Sequence, residues 1–148
     1  MKNLKPYILL VTLFLLASCS KEVAQIKYGT DQCENCKMTL TDKKYGALIY
    51  TQKGKSFKFD AAECLLDYVK ENKISESEID KYFVINLTEP GELINAAETI
   101  FLISPELRSP MGENISAFKN KADAEKYQTE FGGEIFSWDE LKNKFVGK

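Results

Sequence analysis

The chain has 148 residues, with 20 Lys and Arg against 22 Asp and Glu, a net charge of −2 and no histidine. A mildly acidic chain without a basic stretch excludes a protein that grips nucleic acid through its phosphates. The lack of imidazole removes the commonest general base and the commonest metal ligand, so any metal site must draw on sulfur, oxygen or backbone groups.

The first residues set the compartment. Lys2 and Lys5 precede the apolar run YILLVTLFLL over residues 7–16, which is too short to cross a bilayer as a helix. The run ends in Leu16-Ala17-Ser18-Cys19, a small-residue cleavage site with cysteine directly after it, and this resembles the bacterial lipobox. The resemblance implies cleavage before Cys19 and lipidation of its thiol and of the new N-terminus. Residues 1–18 are thus read as a lipoprotein signal peptide and residues 19–30 as the lipidated N-terminus and a polar spacer. The mature protein is expected outside the cytoplasm, held to a membrane by its acyl chains. Residues 31–148 remain for one domain with a real core, or two small halves packed together.

Elements follow in order. Residues 31–40 mix signals and read as a loop. Residues 45–51 (YGALIYT) suit a strand, residues 52–55 a hairpin turn, and residues 56–60 (SFKFD) its alternating second strand. Asp60 is placed to cap a helix over residues 61–72, whose apolar stripe is Leu65, Leu66, Tyr68 and Val69. A polar connector with room for a helical turn spans residues 75–81. Strands are expected at residues 82–87, 92–97 and 99–104, with Pro90-Gly91 turning between the first two. A loop over residues 105–112 carries Met111, and residues 114–119 are extended. A helix over residues 121–131 is stopped by Gly132-Gly133. A strand at residues 134–137 and a helix at 138–145 end the chain, with Phe136 and Trp138 read as core. The pattern predicts an α+β fold of two similar strand-strand-helix-strand (ββαβ-like) units, roughly residues 31–97 and 98–148.

Four cysteines less Cys19 leave Cys33, Cys36 and Cys64. An odd number in an oxidising compartment leaves at least one without an intramolecular partner. Cys33, Cys36 and Met38 put three sulfur atoms within six residues, and Met111 sits on a second turn in Ser109-Pro110-Met111-Gly112. Methionine usually fills gaps in a core. Here both methionines beyond Met1 fall in predicted loops, one of them beside cysteines. Soft thiolate and thioether sulfur selects Cu(I). Three rival readings stand beside copper. Structural zinc usually wants four cysteine or histidine ligands, and three free cysteines exist. A thioredoxin-like dithiol normally opens a helix, and residues 37–42 show no amphipathic stripe. A plain Cys33–Cys36 disulfide is the third. Cys64 is read as a small buried hydrophobe, and Asp60 and Glu63 as capping or solvated carboxylates.

Taken together, lipobox Cys19, the Cys33-x-x-Cys36-x-Met38 run, the Phe59-Asp60-Ala61-Ala62-Glu63-Cys64 helix entry and Ser109-Pro110-Met111-Gly112 followed by Ala117-Phe118 resemble the NosL family. These are copper-binding lipoproteins that accompany nitrous-oxide reductase. The resemblance implies one bound Cu(I), a fold of two ββαβ-type units, and Cys36, Met38 and Met111 as ligands. Cys33 is either an auxiliary ligand or a redox partner of Cys36. It also implies a non-enzymatic metallochaperone whose partners are a copper acceptor, nitrous-oxide reductase, and a membrane transporter complex. Two other functions stay open from the sequence. One is a membrane-anchored thiol–disulfide oxidoreductase using Cys33 and Cys36, and the other is a copper scavenger without a dedicated acceptor.

Overall fold

A computed structural model describes residues 23–147. The signal peptide and lipidated Cys19 inferred above lie outside the described residues. Strand β1 (Ala47–Thr51) is buried at every position, as befits an aliphatic and aromatic segment with neighbours on both edges. It pairs antiparallel with β2 (Ser56–Phe59), Ala47 opposite Phe59, and with β3 (Ile79–Ile85), Ala47 opposite Val84. β4 (Leu93–Asn95) joins the far edge of β3, giving the order β2-β1-β3-β4. Between β2 and β3 runs helix α1 (Ala62–Lys70), which buries Leu65, Leu66, Tyr68 and Val69.

The second half repeats the plan. β5 (Ile100–Ile103) pairs antiparallel with β6 (Ile115–Phe118) and β7 (Glu134–Ser137), in the order β6-β5-β7. Helix α2 (Lys121–Phe131) connects β6 to β7, capped by the Asn120 side chain, which accepts the Asp123 N–H at 2.9 Å. Helix α3 (Trp138–Phe145) follows, capped by Ser137. In each sheet the first strand is central, the second and third flank it, and a helix joins the flanking pair. The two strand-strand-helix-strand units expected from sequence are therefore present, as an α+β fold.

Trp138 locks the halves together. Its ring lies 5.0 Å from Tyr82 of β3 and 5.6 Å from Phe101 of β5, centroid to centroid. Such aromatic pairs add about 0.5–1.5 kcal/mol beyond their area burial. Lys142 of α3 reaches Glu76 at 2.9 Å, and the Leu87 N–H donates to the Ala117 carbonyl at 2.8 Å.

Three local expectations need correction. The connector holds a helical turn, a 3-10 turn over Glu76–Glu78, but the strand expected from residue 82 begins earlier, with β3 running from Ile79. The partner strand β1 pairs with Ile79 and with exposed Lys81, the register bulging past Asp80, so the strand starts in a polar stretch. The segment over residues 92–97 is a strand only through Asn95, whose side chain accepts the Ala97 N–H and turns the chain into a 3-10 turn (Ala96–Glu98). Asp60 does not cap α1: Ala61 is the cap residue and no side chain bonds there. The described part of the spacer is docked, with Ile26 buried and the Tyr28 hydroxyl donating to the Tyr45 carbonyl at 3.2 Å.

Candidate metal centre

The loop over residues 31–40 is closed by short-range backbone bonds. Gln32 and Thr39 form an antiparallel bridge. The Cys33 N–H donates to the Met38 carbonyl at 2.8 Å, and the Lys37 N–H to the Cys33 carbonyl at 2.9 Å. Turning so tightly puts Lys37 in the left-handed region, at φ 63°, a conformation that costs an L-residue about 1–2 kcal/mol. The loop is fastened to its surroundings on two sides. Against β2, the Glu34 N–H donates to the Lys58 carbonyl at 2.8 Å and Lys58 Nζ pairs with Asp31 at 2.6 Å. Beyond the end of α1, Lys73 Nζ donates to Asn35 Oδ1 at 2.6 Å.

This anchoring turns the loop's cysteines toward the first turn of α1, where Cys64 sits. The Sγ atoms of Cys33, Cys36 and Cys64 all lie within 4.8 Å of one another. Cys33 and Cys64 are fully buried, Cys36 is half-buried, and all three are free thiols. Three sulfurs around one ion at about 2.3 Å would stand about 4.0 Å apart, so the triad is within an ångström of a trigonal metal site.

The protons are shared unevenly. Cys64 S–H donates to Cys33 Sγ, and this outweighs the cost of burial; the Cys36 and Asp60 backbone N–H groups and the Cys36 thiol add to it. The Cys33 pKa falls to about 5, leaving one preformed thiolate. Cys64 is pushed well up, first by that bond to Cys33 and then by burial. Burial likewise raises Cys36. Asp60 is 4 % exposed, and burial, then the charges of Cys33 and Asp42, lift its carboxyl. It is thus a buried neighbour of the thiolate, where the sequence suggested a helix cap. A cationic guest would meet one thiolate at once and displace protons from two thiols.

The methionines are placed differently. Met38 is 53 % and Met111 38 % exposed, so neither fills a core gap. Met111 stands on a turn closed by the Gly112 N–H donating to the Ser109 carbonyl at 3.3 Å. That turn is tied to α1, because Ser109 Oγ–H donates to Glu63 Oε1 in a short hydrogen bond and the Ile115 N–H donates to the same oxygen at 3.4 Å. Glu63 is only 2 % exposed, which overturns its reading as a solvated side chain.

Cys33 and Cys36, singled out from sequence, are therefore brought together. Met38 and Met111 remain on the surface, Met38 two residues from Cys36 and Met111 linked through Ser109 to the turn that carries Cys64. Cys64 is buried as expected, yet its sulfur completes the thiol triad. The signal for this lay in helix phase. A cysteine in the first turn after a strand that pairs beside the sulfur loop faces that loop, and reading Cys64 by hydrophobicity alone missed it.

No curated protein matches the sequence. The chain is similar to the crystal structure of the copper chaperone NosL from Shewanella denitrificans, with a TM-score of 0.68 and 23% identity, covering 81% of this chain and 95% of that one. The family model for NosL matches residues 25–146. The chain belongs to the NosL family.

Proposed function

We propose that this protein carries one Cu(I) ion outside the cytoplasm and hands it to an acceptor protein, with nitrous-oxide reductase as the recipient and a membrane transporter complex as a further partner. The observation that carries the copper reading is the buried triad of Cys33, Cys36 and Cys64, three soft donors with one preformed thiolate in a chain that has no histidine. Soft sulfur suits Cu(I), a closed-shell ion content with two or three ligands. Cys36 is the half-buried member and sits two residues from exposed Met38. It is the natural exit point. An incoming acceptor ligand would reach copper there, while Met38 and Met111 supply neutral thioethers that bind and release without proton transfer.

The structural relative bears the name of a copper chaperone, which supports a carrier rather than a catalyst. Lipidation at Cys19 would hold the carrier at a membrane surface; among the described residues no helix is long and apolar enough to cross one. The oxidoreductase reading fares worse. Its nucleophile should be a low-pKa thiol open to a partner, whereas Cys33, the depressed thiol, is fully buried and the more open Cys36 is raised.

The test is a titration of the full chain, reduced and anaerobic in detergent, with Cu(I) and with Zn(II), read by native mass spectrometry against a competing Cu(I) chelator. One tightly held Cu(I) with little zinc is expected, lost in Cys36→Ser. Failure to retain Cu(I) against a modest chelator would remove the basis of the proposal. Delivery is tested separately, by transfer from the loaded protein to copper-free nitrous-oxide reductase.

A further inference from the structure

We propose that Glu63 is a positioning residue for Met111, a buried clamp that holds the thioether-bearing turn in register with the thiol triad. The inference rests on the copper reading above and deepens it.

Glu63 and Cys64 are neighbours in the first turn of α1. The Glu63 carboxylate faces away from solvent, and Oε1 accepts from Ser109 and Ile115, which stand 46 and 52 residues further along the chain. These bonds join the first half of the molecule to the turn before β6 and to the first residue of β6 itself.

Ser109 is the hub of that turn. Its hydroxyl gives its one proton to Glu63 and accepts the Gly112 N–H at 3.3 Å and the Asn114 N–H at 2.9 Å. A hydroxyl has one donor and two lone pairs, so its capacity is filled. The Ser109 N–H, in turn, donates to Asn114 Oδ1 at 3.3 Å. Residues 109–114 are thus a closed hydrogen-bonded loop with Met111 at its exposed crest and the Glu63 bond at its base.

Packing alone gives no reason for a carboxylate here. Glu63 Oε2 is buried with no hydrogen-bond partner among the described residues, and an unpaired buried oxygen costs stability. An apolar side chain would fill the space at lower cost. What an apolar side chain cannot do is accept from Ser109 and from Ile115 together. The clamp needs that acceptor oxygen; it does not need the charge.

The test is a double-mutant cycle on the full chain, read as Cu(I) affinity by chelator competition. A second readout is the chemical shift of the Met111 methyl carbon, with and without Cu(I), in protein labelled at methionine methyls. Ser109→Ala and Glu63→Leu remove the clamp from its two ends, and Glu63→Gln restores the acceptor. The expected result is about tenfold weaker Cu(I) binding in S109A, with a Met111 methyl that no longer responds to copper. E63Q should behave like the parent. In a Met111→Leu background S109A should have no further effect. S109A and E63L are compared so that a folding defect in the larger core substitution leaves the milder S109A, which removes only a hydroxyl, to decide. An equal loss from S109A with and without Met111, or full affinity in S109A while M111L is weakened, would overturn the clamp and leave copper binding standing. Parent protein that holds no Cu(I) would instead overturn the copper reading and the clamp with it.

Discussion

Removing the Cys64 thiol should abolish the unusual acidity of Cys33. The bond from Cys64 S–H is the largest single cause of the depressed Cys33 pKa, ahead of the opposing cost of burial. With a pKa of about 5, Cys33 is the thiol of the triad that ionises first and is in its thiolate form at pH 7. In Cys64→Ala the backbone donors and the Cys36 thiol remain to act against burial, and Cys33 should rise toward the ordinary thiol value of about 8.5, where roughly 3 % is ionised at pH 7. Cys64→Ser keeps an O–H donor and should stay close to the parent. The assay is ultraviolet absorbance of the thiolate during a pH titration of reduced, metal-free protein. Cys36 and Cys64 are both raised, so the first ionisation belongs to Cys33. A first midpoint that stays near 5 in Cys64→Ala would refute the shared-proton account. A midpoint that rises equally in Cys64→Ser would trace the effect to packing instead.

Other outcomes follow from the frame around the site. Phe101 is fully buried against Trp138, so Phe101→Ala should cost about 3–5 kcal/mol in urea unfolding. Gly133→Ala should destabilise more than Gly132→Ala, because a Cβ at Gly133 meets the Ile103 carbonyl oxygen at 2.2 Å whereas one at Gly132 meets nothing within 4 Å; the comparison is of melting temperatures. Glu76 is held below its ordinary pKa. Burial raises it, but the bonds from Lys142 and Tyr82 together outweigh burial. Its contribution is therefore fully present above the unfolded-state pKa of about 4.3 and disappears as pH falls through the lower folded value. The pair is more than half exposed on the Glu76 side, so Glu76→Gln should cost well under 1 kcal/mol at pH 7, with the gap to the parent closing in acid.

Much of this molecule can be read from its residues. Alternation in SFKF, the aliphatic run of ALIYT and the Gly132-Gly133 stop place strands and a helix end close to where they stand. Both loops that carry the sulfur motifs were also expected. What escaped was long-range. The strand from Ile79 owes its first residues to pairing with β1 rather than to its own polar sequence. Asp60 and Glu63 look like helix-entry and surface carboxylates, and only the return of the chain at Ser109 and Ile115 and the closeness of Cys33 make them interior groups. Cys64 belongs to the same class. Its burial follows from hydrophobicity, but its partnership with two cysteines some 30 residues earlier depends on the loop being pinned to Lys58.

That pinning has another side. β2 is an outer strand of the four-stranded sheet, and the Glu34 N–H is bonded to the carbonyl of Lys58 on it. The sulfur loop therefore doubles as an edge guard, covering backbone groups that would otherwise be a template for a neighbouring chain. Anything that frees the loop, whether proteolysis before residue 35 or loss of the Asp31–Lys58 pair, uncovers adhesive edge as well as scattering the thiols. The same few hydrogen bonds thus hold the thiol triad together and occupy part of a strand edge that would otherwise be open to pairing.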